Sequence, residues 1–593
     1  VDVPTGGGYT ANCRSGSGAY DGPSTINFGQ NPFKFPPPDG FQPLNAANVR
    51  PETVIARPDQ FVGVTTYTGT GDAVSPRTVE LPFAADLVWA KSRDRTSYHM
   101  LVDTVRGNNK VISSNDTELE RDPTSYFSGG GVASIDGKII SIESGSSNNS
   151  NLNTNNEDAV VWSWKAGGSK NTFNVDDVGY VSASDVGMNV GGQNSNYYDS
   201  SQTWSNFLSS PQGAYNNSPT TNAFNGDLSS KFESGNPVNS HSTIRFEPST
   251  PIRVNKGIRI YAFDYSDGQV SYQYRVNDAS SFTTITYSSG GSPYHRWVDL
   301  NFVGDLSSFE YRSNTSITYK PSLLAVEIDG RQLLDSGVTP TDNYPTIPAT
   351  GCSVGTKQGF SITKYTGNDQ IGASIPHGLL ETPKFVVIKN TTNAYGWATL
   401  HTDVGFTGSY ISGSPEYYML YLNGYAGRDN WSQDTIWDPT PSYVRIDASG
   451  GANWVNNSNS SYIMYAWHDV PGLQKFGTYL GNENTSGLGP FVELGFRPAI
   501  IWIKNAIQGT SAADWVIYDS ERNKFNPSGK QLYPNRNIAE ADDSNHQFDI
   551  LSNGFRVRST STSDLTNATD TYIYCAWAEV PTFNLYGGQA NAR

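Results

Sequence analysis

Asp86-Leu87-Val88-Trp89-Ala90-Lys91, Lys384-Phe385-Val386-Val387-Ile388-Lys389 and Ala499-Ile500-Ile501-Trp502-Ile503-Lys504 read as three versions of one apolar strand that ends in lysine. Ahead of each stands a tyrosine–glycine opening, at Tyr67-Thr68-Gly69, Tyr365-Thr366-Gly367 and Tyr479-Leu480-Gly481, with the tyrosine 24, 24 and 25 residues before the lysine. After each comes a closing run: Val160-Val161-Trp162-Ser163-Trp164, Tyr462-Ile463-Met464-Tyr465-Ala466-Trp467 and Tyr572-Ile573-Tyr574-Cys575-Ala576-Trp577. The opening tyrosine lies 97, 102 and 98 residues ahead of the last tryptophan. Landmarks that agree at two separate spacings define a tandem repeat.

The 593 residues suit several domains, and the composition sets their class. Hydrophobic content is 36% while aromatic content is 12%, with abundant Gly, Asn, Ser and Thr. Short strands joined by polar turns, with Tyr and Trp supplying buried area, fit that mixture. Helices do not, because runs of Ala, Leu, Glu and Lys are missing. The reading is all-β, as tandem β-sandwich or jelly-roll domains. A formal charge of −16 without a Lys/Arg cluster argues against a nucleic-acid partner. The acidity reads as surface solubility, with cation binding or salt tolerance as the alternative. Cys13, Cys352 and Cys575 form neither a zinc pattern nor a disulfide framework. No apolar run approaches the ~20 residues that span a bilayer, so membrane insertion is not expected. The sequence opens at Val1 in mid-domain, and a preceding segment is expected.

Along the chain, residues 59–170 form repeat 1, 351–474 repeat 2 and 475–593 repeat 3 with a polar tail. Pro471-Gly472 joins repeats 2 and 3 almost without linker, which predicts rigid stacking. Residues 1–58 carry one strand and the turn Pro36-Pro37-Pro38-Asp39-Gly40-Phe41, a stretch that resembles the closing end of a SPRY-like sandwich, followed by linker. Between repeats 1 and 2, residues 171–350 hold the loop Asn222-Ala223-Phe224-Asn225-Gly226-Asp227 and alternating strands. That order resembles the galactose-binding-like (discoidin-type) sandwich, here with flanking linkers.

Catalytic spacing is sought and not found. Gly351-Cys352-Ser353-Val354-Gly355 matches the nucleophile-elbow pattern but lacks the helix that must follow it. The seven histidines make no zinc spacing, and His99 and His401 read as satisfied strand residues. Neither metal nor cofactor is implied. A carboxylate pair from distant strands stays open, because spacing along the chain does not reveal it. Asp103 and Arg106, echoed by Asp519 and Arg522 but not in repeat 2, read as a turn-stabilising ion pair. One feature differs between copies: an insertion in repeat 2 with Tyr417, Tyr418, Tyr421, Tyr425, Trp431 and Trp437 interleaved with Asn423, Arg428 and Asp429. Aromatics beside amides and acids serve a core, a partner interface or sugar stacking, and these residues are the candidate binding site.

The order of these parts resembles tail-fibre and other virion structural proteins of marine phages, those infecting cyanobacteria in particular. Carrying the resemblance are the strand Val88 to Arg93, Asp103 to Gly107 and Trp162-Ser163-Trp164-Lys165-Ala166-Gly167-Gly168. Repeats 2 and 3 depart from it at the last motif, with His468-Asp469-Val470-Pro471 and Ala578-Glu579-Val580-Pro581. The resemblance implies a non-enzymatic fibre or adhesin on the virion tail, assembled in the host cytoplasm. Its implied partners are other tail proteins, copies of itself in a trimer, and a host surface glycan or protein bound by avidity. A virion protein docking only other virion proteins and a host polysaccharide depolymerase are the alternatives.

Overall fold

In each repeat the lysine strand lies between the closing strand and a third strand, and the opening strand pairs with the other side of the closing strand. In repeat 1 these are Val62–Thr68, Asp158–Trp164, Leu87–Ser92 and Met100–Asp103. Repeat 2 uses Phe360–Thr366, Ser461–Trp467, Phe385–Asn390 and Trp397–His401. Repeat 3 uses Gln474–Leu480, Thr571–Pro581, Phe496–Asn505 and Val516–Asp519. The register is also shared. Leu87, Phe385 and Ile500 face Trp164, Trp467 and Trp577 on one side, and Asp103, His401 and Asp519 on the other. Position-by-position equivalence between copies follows from this.

The computed structural model describes residues 54–591 except 73–75, 123–130, 146–151, 191–201, 237–240, 255–256, 265–271, 286–293, 314–319, 329–330, 337, 339–344, 371, 412–413, 429–435, 447–453, 510–512, 563–564 and 583–589. The SPRY-like reading of residues 1–58 therefore falls almost wholly outside the described residues. Within them the chain is almost entirely β, in several distinct sheets broken only by short 3-10 turns. No helix among them is long and apolar enough to cross a membrane.

Alternation along each strand explains the packing. Val88, Ala90, Val102 and Val161 of repeat 1 face its own second sheet, built on Arg77–Glu80, Ile139–Glu143 and Gly131–Asp136. Repeats 2 and 3 have equivalent private cores, one around Val386, Ile388 and Met464, the other around Ile501, Ile503 and Tyr574. The opposite faces all meet in one shared core. Trp89, Trp162 and Trp164 join Trp397, Trp467, Trp502, Trp515 and Trp577 there, with Phe385 and Phe476. Ring pairs cross between repeats, including Trp89–Trp502 at 4.9 Å, Trp164–Trp577 at 5.5 Å and Trp467–Trp577 at 6.1 Å. The first sheets are thus buried on both faces, which is why their strands are continuous apolar runs. The stacking expected from the short join is corrected: the repeats close around a common hub.

Just after repeat 1, Phe173–Val175 and Val178–Tyr180 lie along the edge of the repeat 2 sheet, where Phe173 to Val175 pair in parallel with Cys352 to Val354. Ala349–Gly355 is the receiving strand, so the sequence around Ser353 is no elbow. Ser353 is buried; its Oγ accepts from Gly167 N and donates to Gly168 O. A Cβ on Gly167 would lie 2.4 Å from Val354 O, so this crossing needs glycine. The described strands between Trp204 and Ile328 form three further sheets around a separate core that includes Trp204, Phe224, Phe246 and Phe309. In its loop Asp227 accepts hydrogen bonds from Ser229, and Asn222 donates to Lys231 O, which closes the turn.

Candidate functional site

The chemistry-bearing side chains gather at the three junctions of the hub, and the same bonds recur at each. Asn115, Asn423 and Asn535 accept through Oδ1 from the backbone N–H of His99, Trp397 and Trp515, the residues that lead into or begin the third strands. Those three rings then cross to the neighbouring repeat. His99 Nε2 bonds Tyr533 O of repeat 3 (2.9 Å), Trp515 Nε1 donates to Tyr421 O of repeat 2 (2.9 Å), and Trp397 Nε1 donates to Ser113 O of repeat 1 (3.0 Å). Each accepting carbonyl lies two residues before one of the asparagines. Backbone bonds run round the ring as well: Glu540 N to Arg93 O, Glu120 N to Thr391 O and Arg428 N to Ala506 O. The arrangement is cyclic, 1 to 3 to 2 to 1.

A further contact joins the end of each third strand to a neighbouring closing strand. Tyr465 Oη donates to Asp103 (2.6 Å), Trp162 Nε1 donates to Asp519 (3.0 Å), and the equivalent His401 bonds Tyr574 O (3.2 Å). Asp103 and Asp519 each hold a fully buried arginine, Arg106 and Arg522, at 2.5 Å. These arginines also meet Glu120 and Glu540. The ion-pair reading of Asp103 and Arg106 describes this contact. Repeat 2 replaces the whole set: Val404 stands at the arginine position, and Arg428, at the glutamate position, donates to Val404 O.

Lys91, Lys389 and Lys504 are fully buried at one equivalent position. Burial pushes each ammonium down to about 7. Lys389 reaches Thr117 O of repeat 1, and Lys504 reaches Tyr425 O of repeat 2. Lys91 stays within its own repeat, on Ser92 O, Arg95 O and Ser97 Oγ. His99 and His401 are buried with both ring nitrogens bonded, Nδ1 accepting from Trp89 Nε1 and from Asp403 N respectively. Desolvation lowers His99 well below the usual histidine range and His401 to about 4, so both rings are neutral near pH 7.

Of the candidate insertion, the structure brings three residues to the junction of repeats 2 and 3. Tyr418 packs against the shared core under the Arg428 guanidinium (4.5 Å). Tyr421 lies edge-on to Trp454 (5.1 Å), and Tyr425 presents an exposed ring. Tyr417 and Trp437 fall in the strands Ser414–Tyr417 and Ile436–Pro439, and their side chains lie outside the described residues. Trp431 and Asp429 lie outside them too. The described members thus line a repeat junction and do not form one separate aromatic platform.

Three positions escaped the sequence reading. Asn153, Asn456 and Asn567 are buried and accept from the N–H of Thr70, Asn368 and Asn482, next to each opening glycine. Beside them the opening tyrosines Tyr67, Tyr365 and Tyr479 donate to Leu152 O, Val455 O and Thr566 O. The signal was an asparagine 11, 11 and 10 residues before each closing tryptophan. The junction asparagines Asn115, Asn423 and Asn535 lacked such a signal, because loop lengths before them differ.

Between repeats 1 and 3 lies a polar cleft of about 360 Å³, bounded by Tyr98, Asn115, Asp116, Arg536, Asn537 and Ile538.

The chain belongs to the family described as "Domain of unknown function (DUF7483)", which it matches over residues 57–193 and 334–581. The match covers the three repeats and passes over the separate sheets between them. No curated protein matches it. Among solved structures it is similar to a truncated AlyQ with CBM32 and alginate lyase domains, at 12% identity over 44% of this chain and 97% of that one. It is also similar to the arabinofuranosyltransferase AftD from Mycobacteria, at 9% identity over 62% of this chain and 34% of that one. Both have a TM-score of 0.16, which does not amount to a shared fold.

Proposed function

We propose that the chain is a non-catalytic adhesive and structural module of a phage virion, of the tail-fibre kind, built from β-sandwiches and contacting polysaccharide on the host surface. The observation that carries this reading is the closed hub. Eight tryptophans and a ring of inter-repeat hydrogen bonds join three repeats into one body. The buried Asp103–Arg106 and Asp519–Arg522 pairs and the rings of His99 and His401 are committed to that closure. Rigidity of this kind suits an appendage that transmits force and displays weak sites in fixed geometry, where avidity multiplies them. Further copies and other tail proteins are the proposed partners. The hub also supplies, within one chain, a threefold arrangement like the one the resemblance implies for three chains.

The test is binding of the purified full chain to intact host cells, before and after removal of envelope glycan. Binding that falls with the glycan is expected. No binding in either case overturns the adhesive reading in favour of a protein that docks only other virion parts. Release of reducing ends from envelope polysaccharide would replace it with a depolymerase. Sedimentation at three times 64.5 kDa is expected if the fibre is a trimer.

A further inference from the structure

We propose that the cleft between repeats 1 and 3 is a saccharide site that takes one neutral pyranose unit, an assignment that rests on the glycan-contact reading above. The argument begins with where the copies differ. At the other two junctions the crossing ring is an indole, from Trp397 or Trp515, and a lysine ammonium also bridges the repeats. Here the crossing ring is the smaller imidazole of His99, and Lys91 does not cross. The carbonyl equivalent to the two lysine acceptors, Asn537 O, is taken by the N–H of Ser97. The only junction of the three with this pattern is the one where the cleft lies.

The lining suits a sugar. It is mainly polar; Tyr98 stands where the other copies have Gly396 and Asp514, half-buried against the private core of repeat 1, and borders the cleft together with Ile538. Around it stand the amides of Asn115 and Asn537 and the Asp116 carboxylate, donors and acceptors for hydroxyl groups. The site is also held in shape. Ser97 N donates to Asn537 O across the cleft, His99 Nε2 bonds Tyr533 O across it, and His99 N donates to Asn115 Oδ1 within repeat 1. Arg536 is paired with Asp514 at 2.5 Å, so its charge is already answered and an anionic ligand gains little from it. A volume of about 360 Å³ falls at the small end of ligand pockets, which fits one ring of a longer chain.

The experiment is saturation-transfer NMR on the full chain with the methyl glycosides of glucose, galactose, mannose and N-acetylglucosamine. Transfer to at least one is expected. Tyr98→Ala and Asn537→Ala should each weaken it about tenfold, equivalent to ~1.4 kcal/mol. Asp116→Asn, which keeps the side chain's shape, should weaken it too, while Phe525→Ala, on an exposed side chain outside the cleft lining, should not. No transfer with any glycoside overturns the assignment, as does unchanged transfer to folded Asp116→Asn and to the Tyr98→Ala, Asn537→Ala double variant. Cell binding retained by that double variant overturns the cleft alone; failure of the unmodified chain to bind cells overturns the adhesive reading.

Discussion

The junction between repeats 3 and 1 and the junction between repeats 2 and 3 do the same job with different chemistry. In the first, Trp162 donates to the Asp519 carboxylate, which in turn holds Arg522, backed by Glu540. In the second, a neutral imidazole, His401, bonds a backbone carbonyl; the closing-strand position equivalent to Trp162 is Cys575, and the arginine is gone. Four positions change together, and in both versions the buried groups are satisfied. The same strand register around two chemistries argues that the acid and base serve packing. It also explains why an Asp-x-x-Arg motif can vanish from one copy without loss of the fold.

The sharpest way to break this comparison is to remove the carboxylate. Asp519→Ala or Asp103→Ala strands a buried guanidinium and should cost ~3–5 kcal/mol in urea unfolding. His401→Ala gives up hydrogen bonds of a neutral ring and should cost ~1–3 kcal/mol. Equal losses would show that the ion pair has no special standing.

The lysines sharpen it next. Each has a folded pKa of about 7 against ~10.4 in the unfolded chain, so between those values the unfolded state binds the extra proton. Stability should therefore rise with pH from about 7 to about 10, with the burial penalty at full size below pH 7. Lys389→Met and Lys504→Met should each flatten that rise, as followed by unfolding at a series of pH values. A flat profile in the unmodified chain would mean that the carbonyls around each ammonium offset its desolvation.

Tryptophans give a finer contrast. Trp397 donates across a junction, whereas the indole N–H groups of Trp164, Trp467, Trp502 and Trp577 find no partner among the described residues. Trp397→Phe should cost ~1–3 kcal/mol more than Trp577→Phe, because it leaves buried carbonyls without a donor. The smallest effects belong to the opening tyrosines. Tyr67→Phe, Tyr365→Phe and Tyr479→Phe should each cost ~0.5–1.5 kcal/mol and by similar amounts, since all three make the same bond.

Much of the fold was legible because the landmarks bear on the backbone. The tyrosine–glycine opening marks a close approach: a Cβ on Gly69, Gly367 or Gly481 would lie 2.1, 2.3 or 1.8 Å from a carbonyl oxygen. The hub itself was hidden, although its sign was present. Runs such as Ile500-Ile501-Trp502-Ile503 are apolar at every position, which a sheet with one face in water has no reason to be. Reading them as ordinary strands led to stacked domains. The candidate aromatics of repeat 2 were harder, because a tyrosine that packs beneath an arginine and one that awaits a sugar look alike in sequence. Only the contacts of Tyr418 and Tyr421 separate those roles.

The hub also sets a clock on synthesis. Trp162 cannot meet Asp519 until 357 further residues have been made, and Trp164 meets Trp577 later still. At ~5–20 residues per second, the tryptophan face of the first repeat waits on the order of 20–80 seconds on the ribosome before its last partner emerges. Through that interval a large apolar surface is open to other nascent chains, and the stretch between repeats 1 and 2 lengthens the wait.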